Sequence, residues 1–173
     1  SGRIDTGDGL ASVLSETAAA SISVIFKADA VPASNHLITS QESDNTGDNG
    51  WIGVFLSGST LKYYIKTDAT TWTTVTGSTI STGQRYHAVV SYDGASGTIK
   101  AYLDGVLEGS AAAAANAASI DPGSTLQIGS TGHSSLRRYF TGNIYEVSYF
   151  NKALSSADVT SIYNPSSTGE TQN

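Results

Sequence analysis

The sequence contains neither cysteine nor methionine. Without cysteine the chain can form no disulfide bond and no thiolate metal site, so the fold must be held by packing, and the redox compartment stays undetermined. Position 1 is serine. Because translation begins with methionine, we expect a processed chain or a segment of a longer polypeptide.

Charge is also scarce, because charged residues make up 14% of the 173 residues and the net charge is −6. Nucleic-acid binding depends on clustered Lys and Arg that neutralise phosphates. The nine basic residues here are scattered, apart from Arg137 and Arg138. This composition argues against a nucleic-acid partner and disfavours binding to an anionic membrane surface.

No apolar run approaches the ~18 residues of a membrane span, and no signal-peptide pattern precedes the first strand. We therefore predict no membrane insertion. Hydrophobic residues still make up 39% of the chain, enough for a two-layer core in one domain. We assign this domain to residues 1–164 and a tail or linker to residues 165–173.

A hairpin at residues 84–109, QRYHAVVSYDGASGTIKAYLDGVLEG, organises the rest of the chain. Apolar and polar residues alternate along its two predicted strands, 86–92 and 98–104, as expected when one sheet face is buried. A four-residue loop would place Val90 opposite Ile99 and keep the apolar residues on one face. A five-residue loop would shift the register by one residue and mix the faces, so we prefer the shorter loop.

Further alternating segments at a spacing of roughly 8–12 residues are typical of an all-β sandwich. A connection with at most one helical turn is expected at residues 110–119, and Ser155 is the expected N-cap of a short helix. The predicted segments are strands at 21–27, 36–40, 51–56, 61–66, 72–75, 106–108, 125–129 and 144–150, and the helix at 156–163.

Four motifs carry a family resemblance: SISVIFKAD at 21–29, YHAVVSYDGASGTIKAYLDG at 86–105, TLQIGS at 125–130 and FTGNIYEVSYFNKALSSADVTSIYN at 140–164. In this order they resemble the laminin-G-like, concanavalin A-like jelly-roll domains found in extracellular and surface proteins. The resemblance implies an all-β fold, a two-sheet antiparallel jelly-roll sandwich with a short C-terminal helix.

Catalysis is not expected from these residues. Glycosidases of the resembled fold place paired carboxylates on one strand, and glycoside hydrolysis needs two carboxyl groups about 5.5–9.5 Å apart. Glu146 is the only carboxylate in the last predicted strand, whereas Asp44 and Asp48 lie in a Gly- and Asn-rich loop. His87 occupies a strand position where the resembled family often has histidine, so we assign it a structural role.

A calcium site is a candidate in the loop at residues 41–50, because Ca²⁺ prefers six to eight oxygen ligands on a flexible segment. A solvated polar loop is the alternative interpretation. In the resembled family, an aspartate in the motif read here as GNIYEV often helps to hold calcium, but this chain has Tyr145 there. The candidate metal ligands are Glu42, Asp44 and Asp48, with Asn45 and Asn49 as further oxygen donors.

The resemblance most often implies carbohydrate binding, through the loops at 41–50 and 130–139 and the aromatic residues beside them. Flat rings pack on sugar C–H groups, but aromatic residues also fill sandwich cores. Trp51 and Trp72 are each either core residues or exposed platforms, and only one of Tyr63 and Tyr64 can face the core. The candidate ligand-binding residues are Trp51, Trp72, Tyr64, Asn49, His133 and Arg137.

We therefore predict a non-catalytic carbohydrate-binding or adhesion module with a polysaccharide or glycan partner, in an extracellular or particle-surface protein. The alternative is a structural decoration domain of a virion, phage tail or appendage, which contacts other protein subunits. A glycosidase or polysaccharide lyase ranks third for want of a carboxylate pair.

Overall fold

The computed structural model describes residues 4–5, 19–31, 36–42, 51–67, 71–114, 125–129 and 139–164. The predicted tail at 165–173 lies outside them. The described residues form eleven strands and one helix: β1 Ile4–Asp5, β2 Ala19–Ala28, β3 His36–Glu42, β4 Trp51–Ser57, β5 Thr60–Lys66, β6 Trp72–Thr79, β7 Arg85–Asp93, β8 Thr98–Leu103, β9 Val106–Ala112, β10 Thr125–Ile128, β11 Gly142–Phe150 and α1 Ser156–Tyr163.

The strands form two sheets in which every neighbouring pair is antiparallel. The six-stranded sheet has the order β1-β10-β3-β4-β5-β6, and the five-stranded sheet has the order β11-β2-β7-β8-β9. The predicted all-β jelly-roll sandwich is confirmed. The described part of the chain contains no helix with the length and apolar character of a membrane span.

The core lies between the sheets because alternate residues of each strand point inward. In β2 these are Ile22, Val24 and Phe26, and across the sandwich they face inward residues of β4 and β5 such as Val54 and Tyr63, all of them 0% exposed. Full burial of an aliphatic or aromatic side chain of this size contributes about 1.5–3 kcal/mol. Alternating hydrophobicity therefore fixes which face of each strand is buried.

The register predicted for the central hairpin is wrong by two residues. Val90 lies opposite Ala101, and Ile99 lies opposite Tyr92. The turn explains the shift, because the Asp93 carboxylate accepts hydrogen bonds from the Ala95 N–H at 3.1 Å and the Ser96 hydroxyl at 2.8 Å. Asp93 is thereby held as the last paired residue of β7. A shift of two residues keeps every side chain on its predicted face.

The segment after Gly105 also differs from the prediction. β9 extends to Ala112, where a connection with a helical turn was expected, and Ala111 and Ala112 pair with Ile99 and Thr98 of β8. Alanine favours helix only weakly over so short a stretch. The hydrogen bonds offered by the neighbouring strand decide the conformation of these residues.

The outer face of the five-stranded sheet is covered by α1 and the segment before it. Leu154 and Val159 pack on Val89 and Tyr102 in a second apolar cluster. The helix has the bounds predicted from the sequence, and Ser155 is its N-cap, as expected. This cluster buries part of the outer face of the five-stranded sheet.

Candidate functional site

The outer face of β4, β5 and β6 carries a group of rings and the ammonium groups of Lys62 and Lys66. In β5, Leu61, Tyr63 and Ile65 point into the core, so Tyr64 and Lys66 lie on the opposite face. We call Phe55, Tyr64, Lys66 and Trp72 the aromatic face.

Tyr64 lies at the centre of the aromatic face. Its ring centroid is 5.6 Å from that of Phe55 and 5.4 Å from that of Trp72. Tyr64 is 2% exposed, whereas Trp72 is 50% exposed. Tyr64 therefore supports the indole from beneath, and Trp72 presents a flat apolar surface to solvent.

Lys66 also holds the indole. Its Nζ atom lies 5.6 Å from the centroid of the Trp72 ring, and the residue is 2% exposed. A cation over an aromatic face contributes about 0.5–1 kcal/mol at exposed sites and more when desolvated. The indole is thus fixed by two neighbours before any ligand arrives.

Strand pairing brings three predicted ligand-binding residues together. Trp51 of β4 pairs through its backbone with Lys66 of β5, which pairs with Trp72 of β6, and Tyr64 lies two residues along β5. Whether Trp51 is a core residue or a platform stays open, because its side chain is outside the described part of the structure.

The other predicted site residues fall largely outside the described ranges. These are Asp44, Asp48, Asn49, His133 and Arg137, and the calcium prediction stays a prediction. Glu42 ends β3, where its backbone pairs with Thr125. Among the described residues, no three His, Cys, Asp or Glu side chains form a group that could hold a metal ion.

Only Tyr63 of the adjacent pair faces the core, as the alternation predicts. Tyr63 fills the core at 0% exposure, and its hydroxyl donates to Glu108 Oε2 at 2.7 Å. The pKa of Tyr63 lies far above its ordinary value. Burial is the largest cause, and this hydrogen bond is the next. Tyr64 faces away from the core, as alternation requires, but Phe55 and Trp72 cover it.

Glu146 and His87, the residues considered for catalysis, both contact neighbouring side chains. Glu146 is exposed and accepts a hydrogen bond from the Ser148 hydroxyl at 3.1 Å. His87 is 4% exposed, with its Nε2 atom 2.7 Å from Ser23 Oγ and its ring stacked on Tyr163 at a centroid distance of 5.8 Å. Its burial keeps a substrate from the imidazole.

A cleft of about 450 Å³ between β6 and the start of β9 was not predicted from the sequence. Its two walls are about thirty residues apart in the chain, so no local pattern could indicate it. Its lining includes Thr76, Ser78, Asp104, Val106, Leu107 and Glu108.

Several solved structures share this fold. The Ruminococcus gnavus IT-sialidase CBM40 bound to α2,3-sialyllactose is 12% identical, with a TM-score of 0.71, and the match covers 91% of this chain and 89% of that one. Domain 4 of AbnA, an extracellular GH43 arabinanase from Geobacillus stearothermophilus in complex with arabinotriose, is 21% identical with a TM-score of 0.60. That match covers 85% of this chain and 67% of the other. The native heptameric SAP-like pentraxin from Limulus polyphemus is 18% identical with a TM-score of 0.68, and the match covers 85% of this chain and 70% of that one.

Identities this low establish a shared fold and nothing finer. Some matched chains are much longer, and this chain spans only 26% of the chain in a structure of NanB plus Optactamide. No curated protein matches the sequence.

The family is shown by a profile match over residues 2–160, nearly the whole chain, to the Laminin_G_3 family. This match agrees with the jelly-roll topology and with the four motifs that carry the resemblance. The chain therefore belongs to the concanavalin A-like lectin/glucanases superfamily.

Proposed function

We propose that this domain is a non-catalytic carbohydrate-binding module whose ligand stacks on Trp72. The observation that carries the proposal is an indole that is half exposed and held from beneath by Tyr64 and Lys66. Binding sites combine rigid apolar surfaces with a few polar groups, and a fixed ring loses little conformational entropy on binding. Sugar rings offer the flat C–H faces that pack on such a surface.

The similar structures support this class of ligand. Two of them are described with bound saccharides, namely the CBM40 with sialyllactose and the arabinanase domain with arabinotriose. One fold hosts unrelated functions, so the proposal depends on the aromatic face of this chain rather than on the shared fold.

The aromatic face lacks the chemistry of a glycosidase in its described part. Hydrolysis requires a carboxylic acid and a second carboxylate flanking the bond. The outward side chains described on β4, β5 and β6 are aromatic, lysine and hydroxyl groups. This composition favours binding over cleavage.

The loops at 41–50 and 130–139 stay candidates for further contacts with the sugar. Asn49, His133 and Arg137 would orient sugar hydroxyls, and calcium held by Glu42, Asp44 and Asp48 would order the first loop. Residues 43–50 join the end of β3 to Trp51, whose backbone lies in the same cross-strand row as Trp72. An extracellular or surface location of the parent protein is part of this proposal.

The test is glycan-array screening followed by calorimetry on the best ligand. We expect Trp72→Ala to weaken binding at least tenfold, because truncation of an anchoring aromatic residue costs about 2 kcal/mol or more. Its melting temperature should stay close to that of the wild type, since the indole is on the surface.

Tyr145→Ala is the matched control. Tyr145 is 51% exposed and has the Arg85 guanidinium 4.7 Å from its ring, but it lies on β11 of the other sheet. This variant should bind like the wild type. Equal binding by wild type and Trp72→Ala, or no glycan binding by the wild type, would contradict the proposal.

A second candidate function is contact with another protein subunit. Val106, Leu107 and Tyr163 are 68%, 49% and 41% exposed. Tyr163 lies against Gly105 at the turn before β9, next in the chain to Val106. Exposed apolar groups of this kind often mark protein contacts.

A further inference from the structure

β6 is an edge strand of the six-stranded sheet, and its exposed side chains form a ladder of hydroxyl groups. Trp72 begins the strand, and Thr74 and Thr76 follow at alternate positions. Ser78 follows after an irregularity in the pairing with β5, and all four residues are exposed. Val75 lies between them and points into the core. A ligand that stacks on Trp72 can therefore continue along β6 over donors and acceptors.

The cleft of about 450 Å³ lies at the other end of this ladder, where Thr76 and Ser78 form one wall. Ligand sites commonly have volumes of about 300–1,000 Å³. Asp104 and Glu108 supply carboxylates to the cleft, and the exposed Val106 and Leu107 supply apolar surface. The cleft thus joins acceptors for hydroxyl groups to a surface for C–H groups.

The Glu108 carboxylate is fixed before a ligand arrives. Its Oε1 atom accepts the Ser78 N–H at 2.8 Å, and its Oε2 atom accepts the Tyr63 hydroxyl at 2.7 Å. A carboxylate has about four lone-pair sites, so acceptor capacity remains. Gly77 leaves room for this arrangement, since a Cβ atom there would lie 2.7 Å from a Tyr63 ring carbon.

The geometry sets the size and charge of the ligand. Trp72 and Ser78 are six residues apart, which at about 3.3 Å per strand residue is about 20 Å. Only a chain of several sugar units reaches both ends. Because Asp104 and Glu108 would repel an acidic sugar in the cleft, an uncharged chain fits this path best.

We propose that the cleft between β6 and β9 is a second sugar subsite, so that the domain binds an internal stretch of an uncharged polysaccharide laid along β6. This assignment rests on the proposed carbohydrate-binding function and names its substrate class. Trp72 anchors one part of the chain, and the cleft holds units several positions away.

The experiment measures affinity against ligand length by calorimetry. The probes are uncharged arabino-, xylo-, cello- and malto-oligosaccharides, from the monosaccharide to about the hexasaccharide. For the series that binds, we expect affinity to rise at least tenfold between the disaccharide and the longest member, because the longer chain reaches the second subsite.

Val106→Arg should remove this gain in affinity. Val106 lines the cleft and is exposed, so a longer side chain at this position would obstruct the cleft. Thr76→Val removes one hydroxyl group of the ladder and should reduce the gain. Ser110→Arg is the matched control, since it places the same side chain at an exposed position of β9 away from the cleft lining. It should keep the wild-type length dependence.

Two results would overturn the subsite while leaving the proposed function intact: Trp72-dependent binding that does not strengthen with length, or equal length profiles for Val106→Arg and Ser110→Arg. Tighter binding of oligogalacturonates than of the uncharged series would overturn the assigned charge of the ligand. Failure of the wild type to bind any glycan would overturn both the function and the subsite.

Discussion

His87 is a buried imidazole with one incompletely satisfied nitrogen. Its Nε2 atom is 2.7 Å from Ser23 Oγ, while its Nδ1 atom is buried without a hydrogen-bond partner. Burial lowers the pKa of His87, and the nearby Asp104 and Glu146 carboxylates oppose this effect only partly. The folded state therefore holds the ring neutral.

This environment predicts a loss of stability in mild acid. The unfolded chain takes up the proton near pH 6.5, but the folded chain does so only at a lower pH. The contribution of His87 to the free energy of unfolding should be constant above about pH 6.5. It should fall as the pH drops from about 6.5 to the lowered pKa. Urea unfolding from pH 5 to 8 measures the slope.

His87→Gln should flatten that slope, because it removes the titrating group. Ser23→Ala is the companion variant, since it loses the hydrogen bond at 2.7 Å but keeps the imidazole. It should lower stability and retain a pH dependence. A wild-type slope in His87→Gln would assign the pH dependence to other groups.

At the level of elements, α1 depends on its cap because it has only eight residues. Helices this short are marginal without capping and packing. Ser155 Oγ accepts the Asp158 N–H at 3.2 Å, and Asp158 Oδ2 accepts the Ser155 N–H at 2.8 Å. Hydrogen bonds from Ser155 and Lys152 lower the pKa of Asp158. The stabilisation that the Asp158 carboxylate gives to the cap is therefore present above the ordinary aspartate pKa and is lost in strong acid.

We expect Ser155→Ala to lower stability by about 0.5–2 kcal/mol, because the first helical N–H groups lose their acceptor. Amide exchange in α1 should become faster. Glycan affinity should stay unchanged, because α1 packs on the sheet opposite the aromatic face. Ser161→Ala, at an exposed position of the same helix, is the control and should be neutral. Similar losses in both variants would contradict the capping role.

At the level of the whole molecule, the two outer faces of the sandwich differ. The five-stranded sheet is covered by α1, whereas the six-stranded sheet carries the aromatic face. The exposed apolar residues near the turn before β9 are Val106, Leu107 and Tyr163. A stable protein interface buries about 800 Å² and 20–30 residues on each partner, far more than three side chains provide.

We therefore expect the isolated domain to be monomeric in light scattering up to about 100 µM, since its net charge of −6 also opposes self-association. Leu107→Asp should leave the measured mass unchanged. A stable oligomer that Leu107→Asp dissociates would favour the structural function over carbohydrate binding.

The sequence determined the parts of this protein that depend on local chemistry. Alternation along β2 and β8 predicted their buried faces, because side chains point to opposite sides with a period of two. Ser155 marked the start of α1, because its hydroxyl can accept from the first turn. Trp72 and Tyr64 were named as site residues from their chemistry, but alternation alone could not tell which of them is covered.

The tertiary structure decided everything that depends on neighbours distant in the chain. The hairpin register escaped prediction because a shift of two residues leaves the faces unchanged. The ring contact between Tyr64 and Trp72 depends on the orientation of two side chains on neighbouring strands. The cleft exists because β6 and β9, which are edge strands of the two sheets, lie next to each other. Glu108 accepts a hydrogen bond from Ser78, thirty positions earlier in the chain, and no local pattern encodes such a contact.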